Sequence, residues 1–130
     1  MAHYLDTSAL VKLVVTEPET SALRAWLNES DRSPVACDLA RTELLRAVRR
    51  AAPDQALQAR AVLDSITLTE VTTALFEAAG RLDPTTLRSL DAVHLAAALD
   101  LGDDLDGLVT YEERLAEAAR FHGIVVTAPS

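Results

Sequence analysis

Cysteine, lysine and aromatic residues are all scarce in this chain of 130 residues. Cys37 is the one cysteine, which excludes a disulfide framework and fits a reducing compartment. No apolar run approaches the roughly 20 residues that a membrane-spanning helix needs. The first residues also lack the basic and apolar regions of a secretory leader. We therefore expect a cytoplasmic protein without membrane association.

Basic residues are few as well: 12 of them stand against 20 acidic residues, for a formal net charge of −8. Bulk attraction to nucleic acid needs many lysines and arginines, so this mode of binding is excluded. Lys12 is the one lysine, and any contact with phosphates must come from a local cluster of arginines. Aromatic residues make up 4% of the chain, which does not support a platform for stacking bases.

Hydrophobic residues are plentiful, at 49%, and the length suits one domain with its own core, residues 1–130. Apolar stretches alternate with helical patterns along the chain. The predicted strands are 2–6, 33–37, 66–71, 107–110 and 124–127. The predicted helices are 9–15, 19–29, 39–52, 53–65, 72–82, 85–101 and 112–121, the first of them capped by Ser8. Such alternation predicts an α/β fold, with a parallel sheet of about five strands flanked by helices.

Four acidic residues occupy positions that this fold would bring together. Asp6 ends the first strand, and Glu112 follows the fourth. Glu43 lies one turn into a helix, and Asp91 begins the part of helix 85–101 that is apolar nearly all round, and so predicted to be buried. Ligands of open parallel sheets bind at the carboxyl ends of the strands. Clustered carboxylates repel unless a cation joins them, and Mg²⁺ or Mn²⁺ prefers oxygen ligands.

Each acid also has an ordinary structural interpretation. Asp6 is a plausible helix cap, and Asp91 suits the positive end of a helix dipole. Glu43 could pair with Arg46 or Arg50, and Glu112 could be a solvated residue of a first helical turn. Each interpretation is reasonable by itself. Their coincidence at matching ends of α/β units favours a shared site, and a divalent ion in such a site suits phosphodiester hydrolysis.

Four segments carry a resemblance to a known family. They are YLDTSAL at 4–10, TELLRA at 42–47, LDAVHLAAA at 90–98 and LVTYEERL at 108–115. In these segments the chain resembles PIN-domain ribonucleases, and specifically the VapC-type toxins of bacterial toxin–antitoxin pairs. The resemblance covers nearly the whole chain, and it implies a PIN-like α/β/α sandwich.

The resemblance also implies an activity, a cofactor and partners. The expected protein is an endoribonuclease that depends on Mg²⁺ or Mn²⁺, forms homodimers and leaves 5′-phosphate and 3′-hydroxyl ends. A cognate antitoxin of the VapB type would occlude its site. Asp6, Glu43 and Asp91 match the first three acids of the family and are the expected catalytic and metal-binding residues. Ser8 and Thr110 match hydroxyl positions that support those acids.

The fourth acid departs from the family pattern. The family usually has Asp after Thr-Tyr, whereas this chain has Glu112. Glutamate reaches roughly 1.5 Å further, one C–C bond. We expect Glu112 to complete the metal site, with weaker binding of a second ion or a greater dependence on Mn²⁺. Glu113 is the second choice, because adjacent residues of a helix point in different directions.

The arginines on the helix of Glu43 have two interpretations of equal weight. Arg46 and Arg50 follow Glu43 by three and seven residues and share its helix face. They would contact the RNA backbone or form ion pairs on the helix surface. His94 lies one turn after Asp91 among apolar residues, so we expect a core histidine with satisfied hydrogen bonds rather than a metal ligand.

Two rival functions remain at this stage. The first is a PIN-fold module, weak or inactive in catalysis, that binds RNA or protein; the departure at Glu112 is its sequence support. The second is phosphotransfer at an acidic site. An aspartyl phosphatase would need a second Asp at the position of Ser8, and a response-regulator receiver would need a Lys near the last strands, where there is none.

Overall fold

The computed structural model describes residues 2–130. The strands are β1 (Ala2–Leu5), β2 (Ser33–Cys37), β3 (Thr67–Thr69), β4 (Leu105–Val109) and β5 (Val126–Thr127). The helices are α1 (Thr7–Lys12), α2 (Thr20–Asn28), α3 (Leu39–Ala51), α4 (Ala56–Ser65), α5 (Thr73–Gly80), α6 (Ser89–Asp100) and α7 (Glu113–Phe121). Short 3₁₀ turns, Pro53–Gln55 and Gly102–Asp104, precede α4 and β4.

The five strands form one parallel sheet in the order β3-β2-β1-β4-β5. Tyr4 of β1 aligns with Val35 of β2 on one side and with Leu108 of β4 on the other. The first strand of the chain is therefore the central strand. Parallel neighbours require crossover connections, and the helices supply them. The residue after β1 consequently lies in the middle of the carboxyl edge of the sheet.

Two apolar clusters cover the two faces of this sheet. Successive residues of a strand point to opposite faces, and the structure follows this rule. Tyr4 and Leu108 belong to one cluster, while their neighbours Leu5 and Val109 belong to the other. The helices α5, α6 and α7 contribute to the first cluster, and α1, α3 and α4 contribute to the second. The expected α/β/α sandwich is confirmed.

Helix α6 is the most buried helix, as its composition predicts. Every residue from Ala92 to Ala98 is buried. Its predicted start at residue 85 is wrong, because α6 begins at Ser89. The backbone of Arg88 is extended, with φ −64° and ψ 148°, and cannot continue a helix. Before it, the amide of Leu87 closes a turn onto the carbonyl of Pro84.

The first helix also begins earlier than expected, and its predicted cap Ser8 is wrong, whereas the interpretation of Asp6 as a helix cap is confirmed. Asp6, not Ser8, occupies the cap position of α1, and its carboxylate accepts from the amide of Ala9 at 3.1 Å. Ser8 is the second residue of the helix, and its hydroxyl donates a hydrogen bond to the carboxylate of Asp6. Strands β3 and β5 are shorter than predicted and β4 begins earlier, at Leu105. Among residues 2–130, no helix is long and apolar enough to cross a membrane.

Candidate active site

Asp6 lies at the carboxyl end of the central strand and is 3% exposed. One carboxylate oxygen accepts from the hydroxyl of Ser8 at 2.7 Å, and the other accepts from the hydroxyl of Thr110 at 2.7 Å. Burial raises the pKa of Asp6, and these hydrogen bonds only partly oppose that shift. The chain therefore holds a desolvated carboxylate in one orientation, an arrangement that a nearby cation would stabilise.

The two hydroxyls also attach the tip of β1 to the segment after β4. Ser8 Oγ accepts from the amide of Tyr111 at 2.9 Å, and Thr110 Oγ1 accepts from the amide of Glu112 at 3.0 Å. Each hydroxyl thus donates to Asp6 and accepts from a backbone amide. The predicted positions of Ser8 and Thr110 beside Asp6 agree with this geometry. These two hydrogen bonds fix the backbone of Tyr111 and Glu112, the two residues that precede α7.

Glu43 enters the same region from α3. Its Oε1 accepts from the hydroxyl of Thr7 at 2.6 Å and lies 2.5 Å from Nε2 of His94. Burial raises the pKa of Glu43, but the hydrogen bonds from His94 and Thr7 outweigh it and lower the pKa overall. Glu43 is therefore not the exposed partner of Arg46 or Arg50 that one interpretation of the sequence suggested. It is an ionised, oriented carboxylate.

Asp91 lies in the first turn of α6 and responds to the other three acids. Burial raises its pKa, and the negative charges of Asp6, Glu112 and Glu43 raise it further, with His94 opposing them. Such coupling requires that the carboxylates stand near one another. The structure thus brings the four predicted acids to one edge of the sheet.

A pocket of about 310 Å³ opens over this edge. Glu43, Asp91 and Glu112 line it together with residues at the start of α6, Arg88, Ser89 and Leu90. Asp6 is buried beneath the surface and is not among the lining residues. A larger hollow of about 560 Å³ lies between the loop at Pro84 and α7, and no comparable group of acids lines it. The smaller pocket is therefore the candidate site.

The donor set fits a hard divalent cation. Carboxylate oxygens are what Mg²⁺ and Mn²⁺ prefer. A cation would also relieve the mutual repulsion that raises the pKa of Asp91. Across residues 2–130, no three His, Cys, Asp or Glu side chains stand in a ready-made ligand arrangement. The fit therefore rests on the chemistry and charge of the acids.

Other predicted residues lie outside the pocket. Arg46 and Arg50 are exposed on α3, and no ion pair involves either of them within residues 2–130. Their contact with RNA remains a prediction. Glu113 is highly exposed and lies 3.9 Å from Arg120, which leaves Glu112 as the acid of this segment that lines the pocket.

His94 is a core histidine, as predicted, and is 2% exposed. Its Nδ1 lies 2.7 Å from the hydroxyl of Tyr4, and its Nε2 reaches Glu43. Burial alone would lower the pKa of His94, but the neighbouring Cys37 and Glu43 groups raise it to about 10. The link between this buried ring and a pocket acid was not foreseen from the sequence.

Arg88 is a residue of the pocket that sequence reasoning missed. It precedes the first residue of α6, is exposed, and lines the acidic pocket. The helix predicted over 85–101 placed Arg88 in its first turn, whereas the structure places Arg88 just before the helix. The spacing of three residues between Arg88 and Asp91 could have indicated that Arg88 lies near the acidic site. This spacing is informative only once the start of α6 at Ser89 is known.

A parallel α/β/α sandwich with an acid at the tip of its central strand and three more acids around it defines a PIN-like domain. The model of the PIN domain family matches residues 3–121. Ribonuclease VapC46 of Mycobacterium tuberculosis (strain ATCC 25618 / H37Rv) is 45% identical over 130 residues, which cover 99% of this chain and 98% of that protein. The chain therefore belongs to the PIN-domain family, in its VapC-type branch.

Solved structures agree on the fold. The crystal structure of VapC20 of Mycobacterium tuberculosis, described as a sarcin-ricin loop cleaving toxin, matches with a TM-score of 0.79 at 18% identity, over 98% of this chain and 99% of that chain. A toxin–antitoxin complex from Klebsiella pneumoniae contains a chain that matches with a TM-score of 0.70 at 20% identity, over 98% of both chains. At these identities, the likeness concerns the fold.

Proposed function

We propose that the protein is an endoribonuclease toxin that hydrolyses RNA phosphodiester bonds at the acidic pocket and is inhibited by a cognate antitoxin. The observation that carries the proposal is the pocket that Glu43, Asp91 and Glu112 line together at the carboxyl edge of the sheet, where the buried Asp6 follows the central strand. The VapC-type relatives supply the reaction class. Acids concentrated in this way favour metal-assisted hydrolysis over binding alone.

The four acids would divide the work. Asp6 offers a carboxylate held by two hydroxyls and a backbone amide. The hydrogen bonds of Glu43 favour its ionised form, and Asp91 lines the same pocket from the first turn of α6. A bound Mg²⁺ or Mn²⁺ would activate water and neutralise charge on the phosphate. Glu112, exposed at the rim, would orient the ion or the attacking water through its longer side chain.

Arginines would offset the negative charge that RNA meets at this site. Arg88 lines the pocket itself, and Arg46 and Arg50 extend from α3 on the helix face of Glu43. Phosphate contacts of this kind position the backbone and make binding dependent on salt. These arginines would provide a local positive charge for RNA in a chain whose net charge is −8.

The remaining parts of the proposal concern the molecular setting. Residues 1–130 would act as a single domain and as a homodimer in the cytoplasm, where the buried thiol of Cys37 remains reduced. The partner would be a VapB-type antitoxin, consistent with the toxin–antitoxin complex that shares this fold. An antitoxin that reaches the acidic pocket with a basic side chain would block it by charge and volume.

The test is cleavage of total cellular RNA by purified, antitoxin-free protein with Mg²⁺, Mn²⁺ or EDTA. Asp6→Asn removes one charge at the centre of the site, and Glu117→Gln removes one from an exposed position of α7. We expect discrete fragments that disappear in EDTA and in Asp6→Asn but persist in Glu117→Gln. Intact RNA with either metal, from protein shown to be folded, would favour a PIN-fold module that binds without cleaving.

A further inference from the structure

We propose that His94 is a positioning residue of the acidic site, which holds the carboxylate of Glu43 in the orientation needed to bind a divalent cation. The inference rests on the proposed function, because it assumes that Glu43 is a metal ligand. It concerns a residue that the metal would not touch. The mechanism is a chain of hydrogen bonds that begins in the backbone of β2 and ends on Glu43.

The first two links of this chain are buried, and the last, from His94 to Glu43, is partly buried. The amide of Cys37 donates to the hydroxyl of Tyr4 at 3.2 Å. The Tyr4 hydroxyl lies 2.7 Å from Nδ1 of His94, and Nε2 of His94 lies 2.5 Å from Oε1 of Glu43. Tyr4 is 0% exposed and His94 is 2% exposed. The chain therefore connects the central sheet to the pocket without passing through solvent.

The direction of the last hydrogen bond is fixed by chemistry. If His94 is neutral, the hydroxyl of Tyr4 donates to Nδ1, and the proton of the ring resides on Nε2. If His94 is charged, both nitrogens carry protons. In either state Nε2 donates to Glu43. The remaining tautomer would set the lone pair of Nε2 against a carboxylate, so the inference does not depend on whether His94 is protonated.

This arrangement leaves one oxygen of Glu43 for a cation. Oε1 already accepts from Thr7 at 2.6 Å and from His94. The second oxygen has no protein donor within residues 2–130. A glutamate side chain otherwise samples many rotamers, and fixing it before a ligand arrives reduces the cost of binding. Hydrogen bonds that orient metal-binding carboxylates act in this way.

The site also gains from the position of His94 on α6. Asp91 and His94 are one turn apart on this helix. The contact of His94 with Glu43 thus ties the helix that carries one acid to the helix that carries another. Displacement of α6 relative to α3 would change both acids together.

Two substitutions separate the two nitrogens of the ring. His94→Gln carries an amide group at about the distance of Nε2 and keeps a donor for Glu43. His94→Asn carries its amide at about the distance of Nδ1, so it keeps a partner for Tyr4 and loses Glu43. Mn²⁺ binding to metal-free protein, measured by titration calorimetry without RNA, is the readout. We expect the affinity for Mn²⁺ to fall about 10–100-fold in His94→Asn. The affinity should fall much less in His94→Gln, which keeps a donor for Glu43.

Val93→Ala is the matched control, since Val93 is buried on the same helix, belongs to its apolar cluster and has no polar group that could hold Glu43. Thermal unfolding in EDTA identifies the temperature at which every variant is folded. We expect Val93→Ala to lose stability and keep its affinity for Mn²⁺. If His94→Asn fails to fold, Tyr4→Phe replaces it and should also weaken Mn²⁺ binding, because Nδ1 of the ring then keeps only the weak contact with Cys37 Sγ at 4.0 Å.

The outcomes distinguish this inference from the proposed function. Wild-type protein that binds Mn²⁺ and cleaves RNA, with His94→Asn binding Mn²⁺ equally well, would overturn the role of His94 alone. Equal losses of Mn²⁺ affinity in His94→Asn and Val93→Ala would show that His94 acts only through the stability of the fold, and would also overturn the proposal. Wild-type protein that neither binds Mn²⁺ nor cleaves RNA would overturn the proposed function and this inference together.

Discussion

Replacement of Thr110 by Val tests the hydrogen bonds that hold Asp6. Valine has nearly the shape of threonine and lacks only the hydroxyl. That hydroxyl donates to the buried carboxylate of Asp6 at 2.7 Å and accepts from the amide of Glu112 at 3.0 Å. Thr110 is 1% exposed and Asp6 is 3% exposed, so water does not readily replace the lost donor. We expect Thr110→Val to destabilise the fold substantially for such a small change.

The magnitude follows from the two bonds. A hydrogen bond to a charged group contributes about 1.5–3 kcal/mol, and a neutral one contributes about 0.5–1.5 kcal/mol. Glu112 is exposed, so its amide can turn to water and the smaller contribution is partly recovered. The expected loss in the free energy of unfolding is about 2–4 kcal/mol, which corresponds to a decrease in Tm of about 10 °C for a domain of this size.

The assay is urea and thermal unfolding of metal-free protein at pH 8, with a double-mutant cycle. In an Asp6→Asn background the partner is neutral, and the cost of Thr110→Val should fall to about half. Thr127→Val is the control, because the side chain of Thr127 makes no hydrogen bond within residues 2–130. A loss below about 0.5 kcal/mol, or an equal loss with Asp6 and with Asn at that position, would refute the reasoning.

Three further predictions concern the pocket. Burial and neighbouring acids hold the pKa of Asp91 in the folded protein above its ordinary value, so the ionised form of Asp91 opposes folding. The stability that the protonated form provides at low pH is lost as the pH rises through the raised pKa of the folded protein. Asp91→Asn should therefore raise the Tm by a few degrees in EDTA at pH 8 and change it little at pH 4; a lower Tm at pH 8 would contradict this. Arg88→Ala should raise the KM for RNA and reduce the salt dependence of binding by about one phosphate contact, whereas the exposed Arg60→Ala should change neither; equal effects of the two would exclude a contact at the pocket. Glu112→Asp restores the usual family residue and should increase the rate of cleavage with Mg²⁺ relative to Mn²⁺; a lower rate with both metals would show that the longer side chain is required.

The sequence predicts the fold well because its signals are local. Each strand is a short apolar stretch followed by a helical pattern, and parallel strands joined by helices have few possible arrangements. The burial of α6 likewise follows from its composition alone. The boundaries are less well predicted. The start of α6 was misplaced because the turn at Pro84 and the extended backbone of Arg88 override helical propensity over 85–88.

The acids of the site could be foreseen, and the groups that orient them largely could not. Asp6 and Glu112 follow strands directly, so the rule on strand ends places them without a structure. The contact between Glu43 and His94 joins residues 51 positions apart, and it depends on how α3 and α6, which cover opposite faces of the sheet, approach each other at its carboxyl edge. Helical periodicity identifies His94 as a core residue but does not reveal which polar group satisfies its ring.

The central claim is that the acidic pocket hydrolyses RNA with a divalent ion and water, without the 2′-hydroxyl of the RNA as nucleophile. The chemistry of the fragment ends tests this claim most directly. Fragments made by wild-type protein with Mg²⁺ or Mn²⁺ would be examined for ligation through their 5′-phosphates and for free 3′-hydroxyls. The account predicts a 3′-hydroxyl on the upstream side and a 5′-phosphate on the downstream side of every cut, and no cuts by Asp6→Asn. Ends with 2′,3′-cyclic phosphate and 5′-hydroxyl, or cleavage that persists in EDTA, would contradict it.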